Sequence, residues 1–373
     1  MEPVVVIGGG IIGTSVAYHL TRRDQPVHLV EKDALGAGTS SKSVAVFIWH
    51  QDAPDPVEHR IRERSWETYG PLVEAAELSF SEIGSLHLAW TRADSQELRD
   101  MQSALQDLGV TARWVDPPEL LELGLDPEGF TGGVLVPEDG YLDPAEIIQY
   151  FASRAREAGA TIETGVEVTG IETRNGSVEG VRTTDGHIES RRVVNAAGPW
   201  APTINDMVGL ELPLRHTLGP IVVLQRDEPF AFPFTVLGDD IYFREEANMQ
   251  AFGGRYDTDY ETATRLNPDA NLSVDHQFYL DVAAQIDRHV PVLVDAEIVS
   301  DWVGVRTVTP DRRPFVGETP VAGFYTAVGM SGLGVTRAPA VGSMLAGIIE
   351  GKGIDPDIRG WSRPLEGTGE GPA

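Results

Sequence analysis

The 373-residue sequence predicts an α/β fold in which a parallel sheet is interleaved with a second, mainly antiparallel α+β layer. Three observations predict it. The apolar run Val4 to Ile7 passes through a glycine-rich turn into Thr14 to Arg23, where apolar residues recur at helical spacing. Val27 to Val30 then supplies a second short apolar run, completing strand, turn, helix, strand. Further along, Ser85-Leu86-His87-Leu88-Ala89-Trp90 and Ile221-Val222-Val223-Leu224 read as strands, while Gln96 to Leu108 and Val274 to Ile286 read as helices. The length exceeds one average domain, so two interleaved domains are expected.

The opening turn reads Gly8-Gly9-Gly10-Ile11-Ile12-Gly13. Glycines at 8, 10 and 13 form G-x-G-x-x-G, whose missing side chains permit a tight turn, close approach of backbone to a pyrophosphate and close packing of helix on strand. Ile11 and Ile12 then lie at a helix N-terminus that faces the phosphates. Alone, the hexapeptide is equally a structural turn. Glu31 ends the second strand 18 residues after Gly13, where a carboxylate holds both ribose hydroxyls of an adenine nucleotide and disfavours a 2'-phosphate. That carboxylate points to FAD or NAD rather than NADP, and Lys32 beside it is a further candidate for holding the cofactor.

Composition narrows the function classes. Asp and Glu number 57 against 29 Lys and Arg, a net charge of -28, and the only lysines are Lys32, Lys42 and Lys352. Such a surface repels nucleic acid and anionic membranes. No apolar run approaches the roughly 20 residues of a membrane span. The chain begins Met1-Glu2-Pro3 and goes directly into an apolar strand, so a cytoplasmic location is expected. Zero cysteines remove disulfides, thiolate metal sites and thiol catalysis, and no metal site is expected.

Downstream segments separate FAD from NAD, because they resemble the D-amino acid oxidase superfamily of flavoproteins, especially its glycine oxidase and sarcosine oxidase branch. Gly36-Ala37-Gly38-Thr39-Ser40-Ser41-Lys42-Ser43 resembles the stretch along the pyrophosphate and ribityl chain, which brings in Ser40, Ser41 and Lys42. Asp139-Gly140-Tyr141-Leu142-Asp143-Pro144 resembles a helix start, with Asp143 suited to N-cap and Pro144 to N1 of a helix to about Ala158. Gly165 to Ile171 resembles the strand whose backbone meets the adenine at Val168. Val193 to Trp200 ends in a small-residue turn at Ala197 and Gly198, where backbone passes close to the cofactor. Val303 to Asp311, Pro314 to Gly317 and Tyr325 to Gly334 make up the most specific segment. There the loop Ser331-Gly332-Leu333-Gly334 opens a helix from Val335 to Ile349 whose positive end faces the flavin pyrimidine edge in the family, where negative charge collects on reduction.

The resemblance implies a Rossmann-like FAD-binding domain of residues 1–80, 140–210 and 302–355, and a mainly antiparallel α+β substrate domain of residues 81–139 and 211–301. Residues 356–373 form a C-terminal tail, expected to be disordered from Glu366. The implied reaction is hydride transfer from a small amine or amino acid (glycine, sarcosine, another secondary or D-amino acid) to flavin N5, giving an imine. Oxygen or an electron carrier accepts the electrons. Arg306 is the first candidate for pairing with a substrate carboxylate, against a structural role bridging the domains. Tyr242 and Arg244 share one face of a strand, Tyr242 near the carboxylate or packed as an aromatic. His50 is a candidate proton acceptor from the amine, against a core or surface histidine.

Departures from the family qualify this reading. Lys42 stands where some relatives carry a flavin-linked histidine, so FAD is expected to be non-covalent. Val44-Ala45-Val46-Phe47 replaces paired glycines, so the cavity over the flavin is expected to be reshaped. No lysine occurs between Lys42 and Lys352, which leans toward a dehydrogenase unless Arg244 substitutes for the oxygen-activating lysine. A 2-hydroxy acid or glycerol phosphate dehydrogenase, and a flavin-binding subunit of a larger complex, stay open as alternatives.

A charge of -28 destabilises a compact chain by self-repulsion unless salt screens it, which points to a halophilic source, against the alternative of an acidic protein from an ordinary cytosol. Raising KCl from about 0.1 M to about 1 M shrinks the Debye length from about 10 Å to about 3 Å, and the thermal midpoint is expected to rise with it. Full retention of fold and activity at low salt would count against a halophilic source.

Overall fold

The computed structural model describes residues 2–237, 240–354, 358 and 361. A six-stranded sheet runs in the order Phe315–Glu318, Phe324–Val328, Arg192–Asn195, Val4–Ile7, Val27–Glu31 and Thr161–Thr164. All its pairings are parallel except that of the first two strands. Val4, Val5 and Val6 are fully buried, as expected of a central strand in a parallel sheet covered on both faces. One face carries the helices Ile11–Thr21, Pro144–Glu157 and Gly334–Ile349. The other packs on a three-stranded sheet, Val168–Arg174, Ser177–Thr183 and Gly186–Glu189, through Val5, Ile7, Val30, Val168, Val178 and Val181.

The helix expected from Thr14 to Arg23 begins earlier, at Ile11, with Gly10 as N-cap. Every one of its 11 residues is buried. Asp143 caps the helix Pro144–Glu157, its Oδ1 accepting from the amides of Ala145 at 2.7 Å and Glu146 at 3.3 Å. The other expected helices appear as Arg92–Asp107 and His276–His289.

The second layer is an eight-stranded sheet in the order Glu297–Val308, Arg215–Gln225, Gln250–Arg255, Ile241–Glu246, Phe234–Val236, Ser85–Ala89, Gly132–Val136 and Arg113–Val115. It is antiparallel except where Phe234–Val236 pairs with Ser85–Ala89. Residues 302–308, expected with the nucleotide-binding elements, lie in this sheet instead. Their strand pairs with its neighbour from Glu297↔Gln225 to Val308↔Arg215. No turn signal interrupts that ladder before Thr309-Pro310-Asp311, so the strand carries on to the seam between the two sheets. A small third sheet runs in the order Val46–Phe47, Gly140–Leu142 and Phe80–Glu82.

The tail expected over residues 356–373 is mostly outside the described residues. Trp361 is described, and it is packed: it is fully buried, and its indole N–H donates to Glu58 Oε2 at 2.6 Å. Glu58 also accepts from Arg62 at 2.7 Å and Arg337 at 2.9 Å. Burial pushes its carboxyl up, but Arg337, Arg62 and the Trp361 N–H outweigh that and hold it below the usual range.

Pro339 sits inside the closing helix and has no N–H to offer the carbonyl of Val335 one turn back. Tyr69, fully buried on the helix Pro56–Glu74, donates its hydroxyl to that carbonyl at 3.0 Å. Removing the hydroxyl leaves a buried acceptor unmet. Tyr69→Phe is therefore expected to lower unfolding free energy by about 1–3 kcal/mol in denaturant titration.

Candidate active site

Two glycines set the opening turn. Gly8 adopts φ +108, and a Cβ on Gly13 would lie 1.9 Å from the Gly8 carbonyl oxygen, so the helix approaches the strand as closely as backbone allows. A Cβ on Gly10 would meet only Ser40 Oγ, at 3.2 Å. Ser40 Oγ accepts from the Ile11 amide at 3.1 Å. The helix Ile11–Thr21 has no side-chain N-cap and no acidic residue in its first turn, and the same holds for Gly334–Ile349. Both N-termini border one cavity of about 220 Å³. A helix start without an anionic side chain leaves its positive end for a ligand.

That cavity gathers most of the residues expected to touch a dinucleotide. Gly8, Gly10, Ile11, Ile12, Glu31, Lys32, Ser40, Val168, Ala197, Gly198, Ser331, Gly332, Gly334 and Val335 line it, and the two helix starts are neighbours, a Cβ on Gly334 lying 3.9 Å from the Ile11 side chain. Four expected residues lie elsewhere. Gly13 faces the strand beneath it. Ser41 turns away, its hydroxyl donating to Gly38 O at 3.1 Å, and it borders a third, separate cavity. Lys42 and Leu333 line the larger cavity next door. Glu31 is oriented by backbone amides, its Oε2 accepting from Gly9 at 2.6 Å and its Oε1 from Asp33 at 2.9 Å. Lys32 lies over the Trp200 ring at 4.2 Å and pairs with Asp269 at 2.5 Å. Trp200 and Asp269 were not singled out as site residues; Trp200 is signalled only by following the small-residue turn, and Asp269 by nothing local.

The neighbouring cavity, about 780 Å³, lies between the glycine-turn region and the eight-stranded sheet. Thr39, Ser43, Arg306, Ser331, Gly332 and Val335 border both. The Arg306 guanidinium is held by main-chain carbonyls, donating to Arg255 O at 2.9 Å and Asp257 O at 3.1 Å. No carboxylate among the described residues pairs with it. It lies over Gly219, where a Cβ would come within 2.8 Å of its Nη2. The Tyr242 hydroxyl lies over Gly254, where a Cβ would come within 2.3 Å. Tyr242 interacts with Arg306, and burial raises its pKa although both Arg306 and Arg244 oppose this. Glycines on two strands thus make the space in which an arginine and a tyrosine meet.

His50 also reaches this cavity, 3% exposed. Its Nε2 lies 3.1 Å from Asp52 Oδ1, its Nδ1 has no partner among the described residues, and its ring stacks on His87 at 3.3 Å between centroids. Hydrogen bonding to His50 depresses the Asp52 carboxyl against the pull of burial. Burial drives His87 well below the ordinary imidazole range, aided by His50 and opposed by Asp52. Tyr256 lines the same cavity, its pKa raised first by burial and then by Asp52. Asp52, His87 and Tyr256 escaped the sequence reading because they come from separate loops and strands with no shared spacing.

Arg244 does not join them. It is 2% exposed, its Nη2 bonds Glu246 Oε2 at 2.6 Å, and its guanidinium covers the Tyr141 ring at 3.7 Å. It borders the third cavity, not the large one. Strand alternation placed Arg244 on the face of Tyr242, but the aromatic ring and carboxylate beside it claim its charge.

A family profile described as "DAO, FAD dependent oxidoreductase" matches residues 3–348. The chain belongs to this family. Among DAO relatives, glycine oxidase of Geobacillus kaustophilus is 25% identical over 96% of this chain and 96% of its own length. Human mitochondrial dimethylglycine dehydrogenase is 27% identical over 92% of this chain but only 42% of its own length. The chain thus spans about two fifths of several mammalian relatives that it matches. Among solved DAO structures, L-proline dehydrogenase from P. horikoshii superposes with a TM-score of 0.87 at 27% identity, covering 97% of this chain and 96% of that one.

The FAD of this family fits what the chain presents: a glycine turn open on its cavity side, two helix N-termini without acidic side chains and a fixed carboxylate at Glu31. Gly13→Ala forces the Gly8 turn open, and overpacking of this kind costs about 1–3 kcal/mol or more. The variant is expected to purify with far less FAD per chain than the parent, measured by flavin released on denaturation.

Proposed function

We propose that the chain oxidises the carbon–nitrogen bond of a small amine or amino acid, removing two electrons and giving an imine that water hydrolyses. The observation that carries this reading is Arg306: a guanidinium at the border of the two cavities, fixed by carbonyls and without a carboxylate partner among the described residues. A substrate carboxylate supplies that partner through the bidentate geometry that guanidinium favours, and Tyr242 bonds the same group from the side. FAD, when bound, supplies the two-electron acceptor. Glu31 holds the ribose hydroxyls, and the helix start at Ile11 and Ile12 faces the pyrophosphate, with Ser40 Oγ on the Ile11 amide. The amides at Gly334 and Val335 stabilise the negative charge that collects on reduction. In this division of labour the six-stranded sheet carries the cofactor and the eight-stranded sheet covers the substrate.

FAD is held non-covalently, since Lys42 replaces the histidine used for linkage by some relatives. His50 takes the amine proton, with Asp52 orienting its ring. The Arg244 charge is already committed to Glu246 and Tyr141, so it does not replace an oxygen-activating lysine, which favours a dehydrogenase over an oxidase. Relatives support the substrate class: glycine oxidase, sarcosine dehydrogenase and 4-methylaminobutanoate oxidase all act on amines by name.

The test is anaerobic bleaching of the flavin's visible band by a panel of amines, amino acids and 2-hydroxy acids in high-salt buffer, followed by air. Bleaching by amines or amino acids is expected, with slow recovery in air; bleaching by hydroxy acids alone overturns the reading. Arg306→Met is expected to weaken amino-acid substrates by about 10- to 150-fold, the loss of a hydrogen bond to a charged group, chiefly in KM.

A further inference from the structure

Residues 256–275 leave the eight-stranded sheet after Arg255 and reach the helix His276–His289 without a helix or strand of their own. Connections of that length without secondary structure are uncommon in a compact domain, and those that occur are usually functional or disordered linkers. This one is tied down at both ends of its course. Near its start, the Asp257 carbonyl accepts from Arg306 at 3.1 Å and from the Thr217 hydroxyl at 3.0 Å. A Cβ on Gly332 would lie 3.6 Å from the Thr258 methyl group. Further on, the segment crosses to the layer that carries the cofactor, where Arg265 pairs with Asp206 and Asp269 meets Lys32 and Trp200. Arg306, Gly332, Lys32 and Trp200 line the 220 Å³ cavity, whereas Asp257, Thr258 and Asp269 do not. The segment therefore touches the wall of that cavity repeatedly from outside.

Beneath Asp269 that wall consists of two side chains. The Lys32 ammonium lies over the Trp200 ring at 4.2 Å, and a Cβ on Gly38 would come within 3.1 Å of the same ring. The indole thus spans from the turn after Arg192–Asn195 to the glycine-rich loop after Val27–Glu31. One carboxylate oxygen fixes both from outside: Asp269 Oδ1 accepts from Lys32 Nζ at 2.5 Å and from the indole N–H at 3.0 Å. The hydrogen bond from Lys32, aided by that from Trp200, holds the Asp269 carboxyl below the usual range against the effect of burial.

Polar ties hold the segment rather than apolar packing. Ala263 is its one buried apolar residue. Backbone bonds join Thr264 and His216 in both directions, and the Leu266 amide donates to His216 Nδ1 at 3.0 Å. Segments with few buried apolar contacts open at a lower free energy than the core around them. We propose that residues 256–275 are a strap over the cofactor cavity and that Asp269 is its latch, which must leave Lys32 and Trp200 before FAD passes in or out. Asp269 does not line the cavity, so weakening the latch changes the rate of passage and not the affinity. The strap acts on the cofactor whichever substrate is oxidised.

The experiment dilutes the FAD-loaded protein and follows flavin fluorescence, whose time course gives the release rate and whose plateau over a dilution series gives the dissociation constant. KCl is held near 0.1 M, where an exposed ion pair is screened least of the conditions compared above. Asp269 is mostly exposed, so its truncation leaves the fold intact. Asp269→Ala is expected to speed release by about three- to tenfold, the loss of one exposed ion pair and one hydrogen bond, with the dissociation constant unchanged within about twofold. Arg265→Gln cuts the tie to Asp206 and is expected to speed release by about twofold, again at constant affinity. Release at the parent rate in both variants overturns the proposal. So does a dissociation constant that weakens in step with release, because Asp269 then stabilises the bound cofactor and gates nothing.

Discussion

The contact on which the molecule depends is that of Gly13 with the carbonyl of Gly8, where not even one methyl group fits. It lets the first helix start directly above the end of the central strand. The amides at the helix start then open on the space above the sheet, and the helix itself is buried from end to end. A second helix, closing the chain, packs along the first so tightly that a Cβ at Gly342 would meet Ser15 Oγ at 2.4 Å. The two positive ends therefore border the same cavity side by side, a Cβ on Gly334 lying 3.9 Å from the Ile11 side chain.

The second constraint lies in the seam between sheets. The long strand Glu297–Val308 is paired with Arg215–Gln225 along its length but for one register shift at Val223/Leu224, and its last residues reach the cavity beside the closing helix. Rigid strands position a functional arginine better than a loop does. Glycines at 219 and 254 are as much a part of this site as the side chains lying over them, because the guanidinium and the phenol occupy the volume those glycines leave.

Local signals carried most of the fold. The turn at Gly8, the cap at Asp143 with Pro144, and the alternating strands each rest on interactions within a few residues, so they were legible in sequence. The meeting of Arg306 with Tyr242 was half legible: each was named, but the cross-strand glycines that bring them together were not. The stack of His50 on His87 joins two strands and loops remote in sequence, and periodicity carries no record of it. Arg244 shows the limit from the other side. Its face was right, but the charge of Glu246 and the ring of Tyr141, which occupy it, follow from packing rather than alternation. Trp361 likewise sits in a polar, glycine-rich tail, where composition hides a buried anchor.

Arg306 is one side chain facing two volumes. Whatever fills the first alters the field and the freedom of the guanidinium offered to the second. Thermodynamic linkage makes that influence mutual: if the cofactor tightens the hold on a carboxylate, the carboxylate tightens the hold on the cofactor by the same factor. Any such coupling would hold the prosthetic group most firmly while a carboxylate is bound, through one side chain alone.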